Sequence, residues 1–242
     1  MAVKIYATHD RSGFAGSGTG AANWDNLHDG ASAKNAYFQQ EDGTQGVRAA
    51  YSTAANAIFL FRAFFEFSVP EDAPSNISSL TLNIKGKGSN NNSDVIVVQG
   101  TQDPTTDGDG TDYNSTVFNA FTGHGSGWDD SDVVEYSSEV TSWSNSDYNT
   151  ITLNATARAA FTPNQIFKVA LINHDYDYLD VNPSGVVSGV DESIDFHLQG
   201  SGTSQDPYIE YEAGEAIDIK GPLKIQAGGK FKISAGKILI KT

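Results

Sequence analysis

The chain has 242 residues, 30 Asp and Glu against 15 Lys and Arg, a formal net charge of -15 and no cysteine. This balance disfavours nucleic acid and anionic membrane surfaces as partners, since both ask for clustered Lys and Arg, and the lack of Cys removes disulfides, thiolate metal sites and Cys nucleophiles. Ser, Thr, Asn, Asp and Gly are abundant and Leu is scarce beside Ile, Val and Phe, the profile of short strands joined by polar turns, so the expected class is all-β.

In chain order, Met1 to Asp10 alternates like a strand. It has no basic stretch followed by an apolar run, so no signal peptide is expected and the product is expected to be made in the cytoplasm. No stretch approaches the about twenty apolar residues of a membrane helix. Residues 9 to 33, rich in Gly, Ala, Asn and Asp, read as an exposed loop pinned by Trp24 and Leu27. Its glycines do not form a Gly-x-Gly-x-x-Gly turn opening a helix, so a phosphate cradle is not expected.

From Ala57 to Pro70 runs the most apolar segment, with Phe59, Phe61, Phe65, Phe67 and Val69 on one parity, and it predicts a central core strand. After a Pro-containing turn, the segment from Ile77 predicts a strand with Leu80, Leu82 and Ile84 inward and Thr81, Asn83 and Lys85 toward water. A Gly/Ser/Asn loop and a buried strand at Val95 to Gln99 follow, giving an expected antiparallel meander. Residues 101 to 132 form a long acidic insertion. Tyr136 to Trp143 predicts one helical turn, Thr150 to Leu153 a strand, and Thr156 to Phe161 another helical turn capped by Asn154. Strands are expected again at Ile166, Ser193 and Pro207, with an aromatic-acidic loop from His174 to Asp180 between the first two.

Alternating strands without helices long enough for parallel crossovers predict a jelly-roll-like two-sheet β-sandwich over residues 1 to 212. Residues 213 to 242 differ. They carry six Lys against Glu215 and Asp218, and repeat a short β-unit nearly three times, with apolar residues on one parity and Lys, Gln or Ser on the other. Edge lysines can simply block aggregation. They can also dock a strand onto an acidic partner or onto another copy, and Lys224, Ile225, Lys230, Phe231, Lys232, Ile233, Ile238 and Ile240 are the residues expected to do so. A trimer is the expected oligomer, by analogy alone.

The run from Arg62 to Pro70, followed by Ile77-Ser-Ser-Leu-Thr-Leu, resembles the opening of DNRLRE-type (disaggregatase-related) β-sandwich domains. The Asn154-Ala-Thr turn, the Ile166 strand and the closing Asp206-Pro-Tyr-Ile-Glu-Tyr211 resemble their later motifs, over about residues 55 to 212. The resemblance implies the jelly-roll-like fold of carbohydrate-binding modules, polysaccharide-active proteins and tailed-phage virion proteins. No signal peptide or catalytic neighbour is expected with it, and the basic tail is similar to the Gly-punctuated β-tails of phage structural proteins. The implied role is a non-enzymatic virion component, a capsid decoration or fibre-like module partnering itself and other virion proteins. The alternative is a free-standing carbohydrate-binding or depolymerising protein.

Specific chemistry is sparse. The Asp107-Gly-Asp-Gly-Thr-Asp112 run offers hard oxygen ligands, so Asp107, Asp109 and Asp112 form either a calcium site or a solvated acidic loop; the spacing is not that of an EF-hand. No cofactor is otherwise expected. His124-Gly-Ser126-Gly lacks the nucleophile elbow, and the five His have no metal-binding spacing. Sugar recognition asks for aromatic faces beside polar acceptors, which Trp128, Asp129, Tyr176 and Tyr178 supply, with loop packing as the competing role for Trp128 and core packing expected of Trp143.

Overall fold

The alternating segments fold as strands close to where their periodicity puts them. The computed structural model describes residues 2–8, 13–20, 24–29, 37–39, 46–90, 93–102, 118–123, 132–185, 189–198, 204–214, 230–234 and 237–241. The strands are β1 (Val3–Tyr6), β2 (Gly13–Gly20), β3 (Tyr37–Gln39), β4 (Val47–Ser52), β5 (Ala57–Ser68), β6 (Ile77–Asn90), β7 (Val95–Gln99), β8 (Tyr148–Thr152), β9 (Ile166–Asn173), β10 (Val190–Phe196) and β11 (Tyr208–Ala213). Two short helices are α1 (Trp24–His28) and α2 (Ala155–Ala160). A separate two-stranded sheet joins β12 (Lys230–Ser234) to β13 (Lys237–Lys241). The protein is all-β and sandwich-like.

One layer consists of β1, β11, the first part of β6 and β8, all antiparallel. The other is built around β5. Residues 57 to 64 take β2 along one edge, while the opposite edge takes β4 over its first half and β9 over its second. β3 extends β2, β7 extends β9, and β10 extends β4. The last residues of β6 reach across to pair with β10, and the register shifts between Asp195 and Phe196 at that crossing.

The odd residues of β5, Phe61, Phe65 and Phe67, meet Leu80, Leu82 and Ile84 of β6 and Val169 and Leu171 of β9 in the core between the layers. Fully burying each of these side chains contributes about 1.5–3 kcal/mol. The even residues Ile58, Leu60 and Phe64 enter a second apolar cluster with Trp24, Leu27, Phe118, Phe121, Ile96, Val98, Ala170 and Ile172. Covered on both faces, β5 can be apolar at nearly every position, which is why its sequence does not alternate cleanly. The α2 turn begins where expected: the Asn154 side chain accepts from the Ala157 N–H at 3.0 Å.

Five expectations are corrected. Residues 13 to 20 are not loop; they form β2, which pairs with eight successive residues of β5, because backbone pairing needs no side-chain bulk and the glycines supply none. The Gly/Ser/Asn stretch after Lys85 continues β6 as far as Asn90. Tyr136 to Trp143 forms no helical turn. It lies along β7, with the Tyr136 N–H donating to Val97 O at 2.8 Å and Val140 exchanging both backbone bonds with Val95. The meander is also replaced: β5 pairs with β2, β4 and β9, and β6 lies mainly in the other layer, so the chain crosses between layers at Pro70–Pro74. In consequence Asn83, expected to face water, is buried and bonded to Thr81 and Thr150.

Candidate functional site

Arg62 stands in the middle of β5 with its side chain on the face covered by α1, and it is completely buried. A guanidinium there is tolerable only if its donors are filled. Nε donates to Asp177 Oδ2 at 2.8 Å and Nη2 to Asp177 Oδ1 at 2.6 Å. Nη1 donates to Phe118 O at 3.0 Å and to Asn119 Oδ1 at 2.9 Å. The rings of Phe118 and Phe121 flank the cation, 4.4 and 4.9 Å from Cζ. A planar fork is matched to a carboxylate in a way that a lysine could not reproduce.

Asp177 is delivered by a wide turn over His174–Tyr178. Asn173 opens the turn by accepting from the Tyr176 N–H at 2.9 Å, and the Leu179 N–H closes it on His174 O, five residues back, at 3.1 Å. Burial alone would push the Asp177 carboxyl up. The charge and hydrogen bonds of Arg62, with those of His28, instead hold it far below the usual carboxylate range. His28, at the end of α1, is also fully buried. Its Nε2 lies 2.7 Å from Asp177 O and 3.2 Å from Asp177 Oδ1, and its Nδ1 lies 2.7 Å from Asp29 Oδ1 and 3.3 Å from Asp180 Oδ1. Trp24 stacks on the imidazole at 4.7 Å and donates from Nε1 to Asp180 Oδ1 at 2.7 Å. This network pins α1, the 118–121 segment and the 174–180 turn to the central strand. Sealed and fixed in charge at Asp177, it is suited to holding a cover in place and not to exchanging protons with a substrate.

The same turn presents its other side chains outward. His174 Nδ1 lies 3.2 Å from Glu139 Oε1 and 3.1 Å from Asp175 Oδ1, so one ring nitrogen faces two carboxylates. Asp94 joins this rim; burial, then the charge of Asp175 and the hydrogen bond its protonated carboxyl makes to Glu139, raise it above the ordinary value. Glu192 is also raised, by burial and by the charges of Asp175 and Asp94, with the Asn173 amide opposing. An open groove of roughly 580 Å³ runs nearby between β8 and residues 138–142, lined by Glu139, Thr141, Thr150, Thr152 and Arg158 among others.

Of the residues expected to bind sugar, Tyr176 and Tyr178 are brought to this one turn. Tyr178 stacks on His174 at 5.3 Å and donates its hydroxyl to Glu135 at 2.5 Å, while Tyr176 packs partly against the second apolar cluster. Both rings therefore already have intramolecular partners. Trp143 packs against the main core as expected. Trp128, Asp129, Asp107, Asp109, Asp112, Lys224 and Ile225 lie outside the described residues. The remaining tail residues fall on β12 and β13, whose register sets Phe231 opposite Ile240 and Ile233 opposite Ile238, with Lys230 opposite Lys241 and Lys232 opposite Leu239 on the other parity.

No family model matches the chain, and no curated protein matches it.

His28 and Asp177 carry no motif of their own in the sequence, and Arg62 stands out only within the run from Arg62 to Pro70. One signal is present: an Arg inside an otherwise apolar strand has to find a carboxylate, and the acidic-aromatic run at 174–180 offers three, as do 107–112 and 129–132.

Proposed function

We propose that this chain is a non-enzymatic structural protein of a tailed-phage virion, a β-sandwich module anchored or oligomerised through its C-terminal β-ribbon. The observation that carries the reading is the register of β12–β13, which puts four apolar residues at one parity of a two-stranded sheet that pairs with no other described strand. A lone hairpin is marginal in water, and a ribbon with one apolar side gains stability by covering that side. Acids dominate residues 1 to 212 while the ribbon is rich in Lys, so the body of another copy, or an acidic neighbour in the particle, suits its basic side.

The test is the solution mass of the full chain beside the double variant Ile233→Asp/Ile238→Asp, by sedimentation. The reading expects an oligomer, with three copies as the leading stoichiometry, that collapses to a folded monomer in the variant. A wild-type chain that stays monomeric at high concentration and does not associate with its particle, or a variant of unchanged mass, overturns it.

A further inference from the structure

The hydrogen-bond inventory around His28 does not close for a neutral ring. A neutral imidazole has one N–H donor and one acceptor nitrogen, and an imidazolium has two donors. Here both nitrogens meet acceptors: Nε2 faces the carbonyl and carboxylate oxygens of Asp177, and Nδ1 faces the carboxylate oxygens of Asp29 and Asp180. Trp24 already donates to that same Asp180 oxygen, and the ring has no exposed edge through which water could mediate. A neutral ring would therefore aim a lone pair at an oxygen at one end or the other, with no solvent to relieve it.

The groups facing the imidazole from each packed element are Trp24 and Asp29 of α1 and its end, Asp177 and Asp180 of the 174–180 turn, and Arg62 of β5. Burial and Arg62 oppose a charge on the ring. The hydrogen bonds and charge of Asp177 outweigh them, and the ring titrates above its ordinary value. We propose that His28 is a protonation-dependent latch: as an imidazolium it fastens α1 to the second face of the β5 layer, and on losing its proton it lets that helix and Trp24 go.

The sign follows from linkage. A closed-state value above the released-state one means the latch is fully set below about pH 6.5, weakens by about tenfold in equilibrium constant per pH unit between there and the raised closed-state value, and loses nothing more above it. Release would uncover Trp24, Leu27 and the apolar residues beneath them, a hydrophobic surface that the closed form hides.

Two measurements test the proposal on the full chain. Nitrogen-15 NMR of the imidazoles, from pH 5 to 10, should show His28 doubly protonated at pH 6 and titrating above 6.5. In a Trp128→Phe/Trp143→Phe background, Trp24 emission should shift to the red with the same midpoint, and addition of His28→Gln should abolish that titration. A neutral His28 at pH 6, an imidazolium persisting to pH 10, or Trp24 emission that does not follow the His28 titration each overturns the latch. The NMR measurement stands even if the substituted chains fail to fold.

Discussion

Arg62 and Asp177 come from segments 115 residues apart and meet as a two-bonded pair, Nε to Oδ2 and Nη2 to Oδ1, with both side chains fully shielded from water. Removing either partner leaves a buried charge without its match. Arg62→Met and Asp177→Leu should each destabilise the fold by about 3–5 kcal/mol. The double variant should recover much of that loss, since it removes the Arg62 and Asp177 charges together and leaves His28 its contacts with the Asp177 backbone carbonyl and the Asp29 carboxylate. Denaturant unfolding of the three variants decides the matter. A double variant no better than the worse single one would mean that packing, not charge pairing, is what the site supplies.

The same carboxylate makes a pH prediction. Because the Asp177 value is depressed in the folded state, its contribution is complete above the unfolded value of about 3.9 and is withdrawn as the pH falls through the folded one. Unfolding free energy should therefore drop between pH 5 and pH 2 more steeply in the wild type than in Asp177→Asn. Parallel curves for the two proteins would remove Asp177 from the account of acid sensitivity.

How far the sequence could be read depended on the kind of information each feature uses. Period-two alternation located β6, β9, β10 and β11, and the Asn154 cap located α2, because those signals are local. The pairing of Gly13–Gly20 with β5 left no trace in side-chain pattern, since glycine shows neither face of a sheet. Layer membership was equally hidden: β5 and β6 follow one another in the chain, yet most of β6 belongs across the core, a choice made by the partners β11 and β8. The charge network needed three distant segments at once. Its only local hint was Arg62 among phenylalanines.

Gly86 supplies a test of the crossing from one layer to the other. A Cβ there would sit 1.8 Å from the Ser144 carbonyl oxygen, which is backbone and cannot rotate away, at the place where β6 meets the irregular register of β10. Gly86→Ala should cost at least about 2 kcal/mol. Gly88→Ala should cost less, because the nearest atom, at 3.1 Å, is the end of the Asp195 side chain. For a chain of this size each kcal/mol lowers Tm by about 2–4 °C, so thermal scans can separate the two. Equal losses would mean that the Ser144 contact is relieved without cost.

The ribbon prediction separates its two sides. Lys230 and Lys241 are directly opposed across β12–β13, an arrangement that disfavours the pair in isolation and is relieved by an acidic surface laid against it. Lys241→Glu would create an opposite-charge pair, worth roughly 0.2–1 kcal/mol to the hairpin, while removing a cation from any such docking contact. If the basic side touches the acidic body of another copy, this variant should associate more weakly than the wild type, and the difference should shrink as salt rises, with the screening length falling from about 10 Å at 0.1 M to about 3 Å at 1 M. If the apolar side alone drives association, Lys241→Glu should associate at least as tightly at every salt concentration, and only Ile233→Asp/Ile238→Asp should dissociate the assembly. Sedimentation of the three proteins at low and high salt distinguishes the outcomes, and a wild type that is monomeric at both concentrations leaves neither side of the ribbon a role in self-association.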